Sequence, residues 1–308
     1  MWIEKTAKQQ TVFHRKLCFF ESARAAFQML LHRLNEQEPF TLLLPGYIGF
    51  SVNEGSGIYD PVVQENIPHL FYPMNRSLGI KVDTFEKLLQ NTSGKKVVLL
   101  VHYFGYLDAQ FENIVEICRK NNAIIIEDSA HALFTDFVDH RCGNYGDFSI
   151  YSLHKMFPFT GGGMLKINTP MFEFDSVDYF INPLFDYDFY AIAKRRKANA
   201  KRWNELLSEH QDEIGILRPY SEDVTPQTFP VVLKNVDRNE MYFRLNEAGY
   251  GAVSLYHTMI QPIQNAAQFS DAVWLSQHII NLPVHQDVET ERIDDMCAEL
   301  LGLIYTDR

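Results

Sequence analysis

Residues 97–128 read VVLLVHYFGYLDAQFENIVEICRKNNAIIIED. The run 97–101 (VVLLV) shows no polar alternation, as expected of a strand covered on both faces. It breaks at His102-Tyr103-Phe104-Gly105, and the pattern that follows predicts a helix over 109–120. The run 123–126 (AIII) is a second buried strand, and it ends abruptly at Glu127-Asp128. Strand, helix and strand with short joints make a βαβ unit, and such units build parallel sheets. The expected fold class is therefore α/β, a mostly parallel sheet with helices on both faces.

The same reading extends outward. Segment 21–35 is an amphipathic helix with Ser22 as its N-cap. Segment 40–44 (FTLLL) is a strand stopped by Pro45-Gly46. Shorter strands are expected at 148–152 and 163–167, around Gly161-Gly162-Gly163. Beyond about residue 185 the character changes to a long charged helix (188–209), a strand near 227–233, a helix at 237–248, a short strand at 279–282 and a last helix at 289–304. A large domain over 1–185 and a smaller C-terminal α/β domain over 186–308 are expected, in keeping with the length.

The chain has 308 residues, about half of them apolar, with 23 Phe and 15 Tyr. That is enough to bury a sizeable core, which argues against disorder. The net charge of -11 gives no basic footprint for nucleic acid and disfavours anionic membranes. An anionic substrate would need a locally positive pocket. Cys18, Cys118, Cys142 and Cys297 are scattered without a C-x-x-C pair, so neither a metal site nor a disulfide framework is indicated. They read as reduced thiols of a cytoplasmic protein. No stretch approaches the ~20 apolar residues of a membrane span, and the polar start MWIEKTAKQQ is not a signal peptide.

Lys155 stands in YSLHKMFPFTGGG (151–163), an apolar setting for a lysine. Burial there favours the neutral amine that Schiff-base chemistry requires, although a structural lysine with a buried stem fits the same residues. Asp128 closes a buried strand, and ligands of open parallel sheets lie beyond the carboxyl ends of strands. A carboxylate at such a place can hold a ring nitrogen protonated or cap a turn. His131 can face the same cavity. Ser22, Ala23 and Arg24 open a helix, whose free N–H groups suit a phosphate as well as an ordinary cap. The glycines 161–163 lack the ending of a P-loop and suit a tight turn beside Lys155. Ser152, three before Lys155, can also bond a phosphate. No nucleophile-elbow motif surrounds Ser152 or His154.

In order, these pieces are SARAAF (22–27), VHYFG (101–105), IIEDSAH (125–131), GDFSIYSLHK (146–155) and GGGML (161–165). Together they resemble the DegT/DnrJ/EryC1/StrS sugar aminotransferases, and YFRLNEAG (242–249) with LPVH (282–285) extend the likeness over roughly 17–305. The resemblance implies the fold-type I architecture of pyridoxal 5'-phosphate (PLP) enzymes and a homodimer. It implies transfer of an amino group from an amino acid such as glutamate to a keto-sugar, nucleotide-linked, for surface polysaccharide or a related product. It casts Lys155 as the cofactor-bearing lysine and Asp128 as the partner of the pyridinium nitrogen. His131 would touch the cofactor's phenolic oxygen or ring face. Ala23 and Arg24 would offer backbone N–H groups to the phosphate, and Ser152 a hydroxyl. The chain departs from the family where Ile150 stands at the usual serine position and where 168–187 replaces a conserved-looking stretch. Arg76, Arg195 and Arg196 are candidates for the acceptor's diphosphate. Another PLP reaction, or a catalytically silent binding relative, are the competing readings. Lys155 disfavours the dehydratase variant, which carries His there.

Overall fold

The computed structural model describes residues 16–169, 174–175, 181–184 and 186–306. The N-terminal decapeptide and much of 168–187, both discussed above, lie outside the described residues. The elements of the large sheet and its helices are β1 (Lys16–Phe20), α1 (Ala23–Gln37), β2 (Phe40–Pro45), α2 (Tyr59–Gln64), β3 (His69–Tyr72), α3 (Val82–Asn91), β4 (Lys95–Val101), α4 (Phe111–Lys120), β5 (Ile124–Asp128), α5 (Leu133–Phe137), β6 (Phe148–Ser152) and β7 (Gly163–Ile167). There follow α6 (Ile181–Leu184), α7 (Phe189–Leu207), β8 (Ile214–Ile216), β9 (Thr228–Leu233), α8 (Arg238–Glu247), α9 (Gln261–Gln264), α10 (Ser270–His278), β10 (Ile279–Pro283) and α11 (Thr290–Thr306).

The seven-stranded sheet has the order β1-β7-β6-β5-β4-β2-β3. From β3 to β6 it is parallel, and β7 and β1 add antiparallel at one edge. Its central strands are buried on both faces: Val97, Val98, Leu99 and Leu100 of β4 are sealed, as are Ile125 and Ile126 of β5. This is why those strands read as unbroken apolar runs. Helix α1 packs against the sheet through Ala26, Phe27, Leu30, Leu31 and Leu34, the spacing of a helix with one apolar face. Each fully buried leucine there contributes roughly 1.5–3 kcal/mol relative to exposure.

The second sheet, β10-β9-β8, is antiparallel. Its core joins Trp203 and Leu207 of α7 to Phe229, Val231, Ile280 and Leu300. Met259, Ile260, Phe269 and Leu275, by contrast, pack into the core of the large sheet. The chain past α8 thus returns to the large sheet before β10 joins the small one. That return positions part of the site. All four cysteines are free and buried, and no described helix is long and apolar enough to cross a membrane.

Candidate active site

The parallel register brings the site together. Val101 lies beside Asp128, and Asp128 beside Ile150, so β4 and β5 end at one level and β6 runs two residues past it to Ser152. Beyond their carboxyl ends is a cavity of about 590 Å³, the size of a small-molecule site. The start of α1, the loop 53–58 and Tyr256 complete its walls.

Lys155 ends a single 3-10 turn, Leu153–Lys155, that follows β6. Its Nζ lies 2.8 Å from Nε2 of His131. The other nitrogen of that imidazole, Nδ1, accepts the Phe104 N–H at 3.2 Å. A neutral imidazole has one donor and one acceptor. Nδ1 is therefore the acceptor, Nε2 carries the proton, and its partner must offer a lone pair. Only an uncharged Lys155 amine does so. Burial supports the same state: it drives the Lys155 pKa down, against the opposing charges of Asp128 and Glu54. Burial also lowers the His131 pKa, as a charge on Lys155 would. The fixed donor on His131 and the fixed acceptor on Lys155 make one hydrogen-bonded unit.

Asp128 and Glu127 are neighbours on β5 and so point to opposite faces. Asp128 lines the cavity, and its Oδ1 accepts the Ala130 N–H at 3.0 Å. Burial raises its pKa, opposed by that N–H and by Lys155 and His102. Glu127 is fully buried behind the site. Its carboxylate accepts the N–H groups of Gly143, Tyr145 and Gly146 at 2.7, 2.9 and 2.7 Å, and meets His102 Nε2 at 2.8 Å. Burial pushes its pKa up, but the His102 contact and these backbone donors outweigh that and hold it low. Glu127 thus fastens the loop 143–146 and His102 to the strand that presents Asp128.

The glycines act as a seat for α1. Gly162 N–H donates to the Glu21 carbonyl at 2.7 Å, and Leu153 N–H to the Gly162 carbonyl at 2.9 Å. A Cβ on Gly163 would stand 2.2 Å from the Ser22 carbonyl and 2.4 Å from Ala23 N. Only glycine lets the helix start lie against the strand beside Lys155. The Ser22 hydroxyl caps the helix, accepting Ala25 N–H at 3.1 Å. The N–H groups of Ala23 and Arg24 head the helix, where no earlier turn supplies a carbonyl, and they line the cavity. The Arg24 guanidinium is held at the rim by the Glu54 carbonyl and by Asp60 at 3.6 Å. A Gly163→Ala protein is expected to lose about 1–3 kcal/mol or more of stability from overpacking, read as a lower urea midpoint. Unchanged stability would mean the seat is not tight.

All seven residues singled out from sequence (Ser22, Ala23, Arg24, Asp128, His131, Ser152 and Lys155) line this one cavity. Ser152 and His154 touch, Oγ to Nδ1 at 3.2 Å, because the chain leaves the strand after Ser152. The cap bond uses one lone pair of the Ser22 hydroxyl and leaves its O–H to donate, so an anion at this helix end would meet that O–H as well as the N–H groups. None of the three arginines proposed for a diphosphate lines the cavity. Arg76 pairs with Asp271, Arg195 reaches Thr290, and Arg196 is buried on Phe134 with Gln286 as a partner. The reading from sequence missed Tyr256, Phe104 and the loop 53–58. The glycines at 55 and 57 marked the loop, but nothing local marked the two aromatics. Among the described residues there is no cluster of His, Cys, Asp and Glu fit to hold a metal.

The sequence profile of the DegT/DnrJ/EryC1/StrS aminotransferase family matches residues 62–173 and 188–301. A Helicobacter pylori UDP-4-amino-4,6-dideoxy-N-acetyl-beta-L-altrosamine transaminase is 24% identical over 54% of this chain and 48% of its own length. The chain thus spans about half the length of that curated relative. Among solved structures, Helicobacter pylori PseC, an aminotransferase involved in the biosynthesis of pseudoaminic acid, aligns with a TM-score of 0.76 at 17% identity, covering 94% of this chain and 87% of that one. The E coli GDP-4-keto-6-deoxy-D-mannose-3-dehydratase with bound hydrated PLP aligns with a TM-score of 0.72 at 15% identity, covering 93% and 87%. At these identities the structural likeness establishes the fold.

Proposed function

The chain belongs to the DegT/DnrJ/EryC1/StrS aminotransferase family, and from that premise we propose that it moves an amino group from an amino acid, glutamate first among them, to a nucleotide-linked keto-sugar, with PLP as cofactor. The observation that carries this reading is the Lys155 amine 2.8 Å from His131, whose other nitrogen accepts the Phe104 N–H, in a cavity that Asp128 also lines. An aldehyde needs such an amine, a pyridinium nitrogen such a carboxylate, and a phosphate such a helix start. The cavity offers all three.

Bound there, PLP supplies an electron sink for the carbon that gives up its proton. The chain's own residues do the rest. Asp128 holds a proton at the ring nitrogen. Lys155 Nζ would carry a proton between the substrate carbon and the cofactor carbon. His131 Nε2–H orients the amine's lone pair. The N–H groups of Ala23 and Arg24, with the Ser152 hydroxyl, receive the phosphate. The nucleotide-linked acceptor is supported by the Helicobacter pylori relative, a transaminase named for a UDP-linked amino sugar. We further propose a cytoplasmic homodimer; the four free, buried thiols fit a reducing compartment.

The test is the visible absorption spectrum of the purified protein with PLP, before and after glutamate. A lysine-dependent visible band is expected, and it should fade as glutamate delivers its amino group. A band indifferent to glutamate and to other amino acids would overturn the aminotransferase assignment. The absence of any band would overturn the cofactor.

A further inference from the structure

Of the residues that line the cavity, Tyr256 alone comes from the chain beyond Lys155. A short ladder delivers it. The Phe50 N–H donates to the Thr258 carbonyl at 2.9 Å and the Ile260 N–H to the Ile48 carbonyl at 3.1 Å, with Gly49 bridging Met259 between them. At the head of this ladder Tyr256 has φ 60, a left-handed conformation that is unfavourable for a bulky residue. Its ring stacks on Tyr47, with centroids 5.3 Å apart and planes at 26°. It meets Tyr103, Phe104 and His131 edge-on at 5.4, 5.7 and 6.2 Å. Gly49 leaves it room: a Cβ there would come within 2.9 Å of Tyr256 Cδ1.

Phe104, also left-handed at φ 59, stacks on the His131 ring at 5.9 Å and 17°. The imidazole therefore lies against Phe104 on one face and meets Tyr256 at an angle of 75°. A tyrosine that merely filled space could do so from a relaxed backbone. Strain of this kind persists where the surrounding structure over-determines it, and it gathers at functional sites.

We propose that Tyr256 is a positioning residue of this site: its ring fixes the plane of the His131 imidazole, so that Nε2–H points at the Lys155 amine. The inference rests on the proposed function only in taking Lys155 as the reactive amine. Asp128, Glu54, His154 and His131 line the same cavity as that amine.

Two variants test it. Tyr256→Gly removes the ring, and glycine takes φ 60 without strain; Tyr256→Phe keeps the ring. Nitrogen NMR of the cofactor-free protein reads the His131 tautomer. Wild type and Tyr256→Phe should show Nε2–H alone, and Tyr256→Gly a mixture of tautomers. The second readout is the pH dependence of PLP capture by Lys155. With the imidazole no longer fixed, Nε2–H no longer holds the amine's lone pair, which should raise the lysine's midpoint by about one pH unit and slow capture at neutral pH about tenfold. Tyr256→Phe should stay within about twofold of wild type in the same assay. Tyr256→Leu is expected to behave like the glycine variant and replaces it if that protein does not fold. A single tautomer with an unmoved pH profile in the ringless variants overturns the proposal, as does a phenylalanine variant that behaves like glycine. If wild type itself captures no PLP, the proposed function fails, while the tautomer comparison still decides the role of Tyr256.

Discussion

A Lys155→Ala protein is expected to lose amino-group transfer by about 10⁴-fold or more while folding at least as well as wild type. The catalytic loss follows from removing both the group that holds the cofactor and the group that carries the proton, contributions of which the second alone is worth about 10²–10⁴. The stability half follows from linkage. Burial lowers the Lys155 pKa in the folded state, so between the folded and the ordinary lysine values the unfolded chain binds the extra proton. Stability then rises with pH across that interval. Below the ordinary lysine range the wild type carries the cost of this shift on folding, and the alanine variant does not. Urea midpoints at neutral and alkaline pH should show wild type gaining on the variant as pH rises. A variant that keeps its activity would remove Lys155 from the chemistry. A stability gap that widens in favour of the variant with pH would contradict the neutral amine.

The second large effect is at Asp128. Asp128→Asn preserves shape and can still accept the Ala130 N–H, but it carries no charge. Transfer should fall by about 10³-fold, or ~4 kcal/mol of barrier, because an uncharged amide cannot hold a proton on the ring nitrogen in a water-poor cavity. Capture of PLP by Lys155 should persist, so the variant keeps a visible band that responds slowly to glutamate. Activity within about tenfold of wild type would show that Asp128 only caps the turn at Ala130.

The sequence made these two residues legible because each sits at a break in pattern. Asp128 ends an apolar run, and Lys155 is a charge inside one. The strands at 97–101 and 123–126 were equally plain, since full burial leaves no polar alternation to confuse. Helices α4, α7, α8 and α11 fell within two residues of expectation at each end, the ordinary uncertainty of fraying ends. What could not be read locally depends on distant partners. Strand β1 is a strand because β7 pairs with it, and Phe104 and Tyr256 meet across the chain by tertiary packing alone. Their left-handed backbones contradict the preference of their own side chains, so propensity pointed away from them. The arginines put forward for a diphosphate do not line the cavity, and one of them shows the converse: a basic side chain in a charged helix looks solvated, yet Arg196 is 1% exposed.

The seat of α1 on Gly163 also bears on how the protein is made. Strand β1 has β7 as its only neighbour in the sheet, and nearly all of the large sheet lies between them in the sequence. Such distant pairing is slow to form because a long loop must close first. A nascent chain that has just cleared the ribosome at Lys155 already owns its amine and its carboxylate. It still lacks the strand that docks the helix start beside them. Emergence of 161–167 is therefore the step at which the start of α1 is docked beside them, and Tyr256 arrives later still. A finished pocket exists only after synthesis has moved well past the lysine.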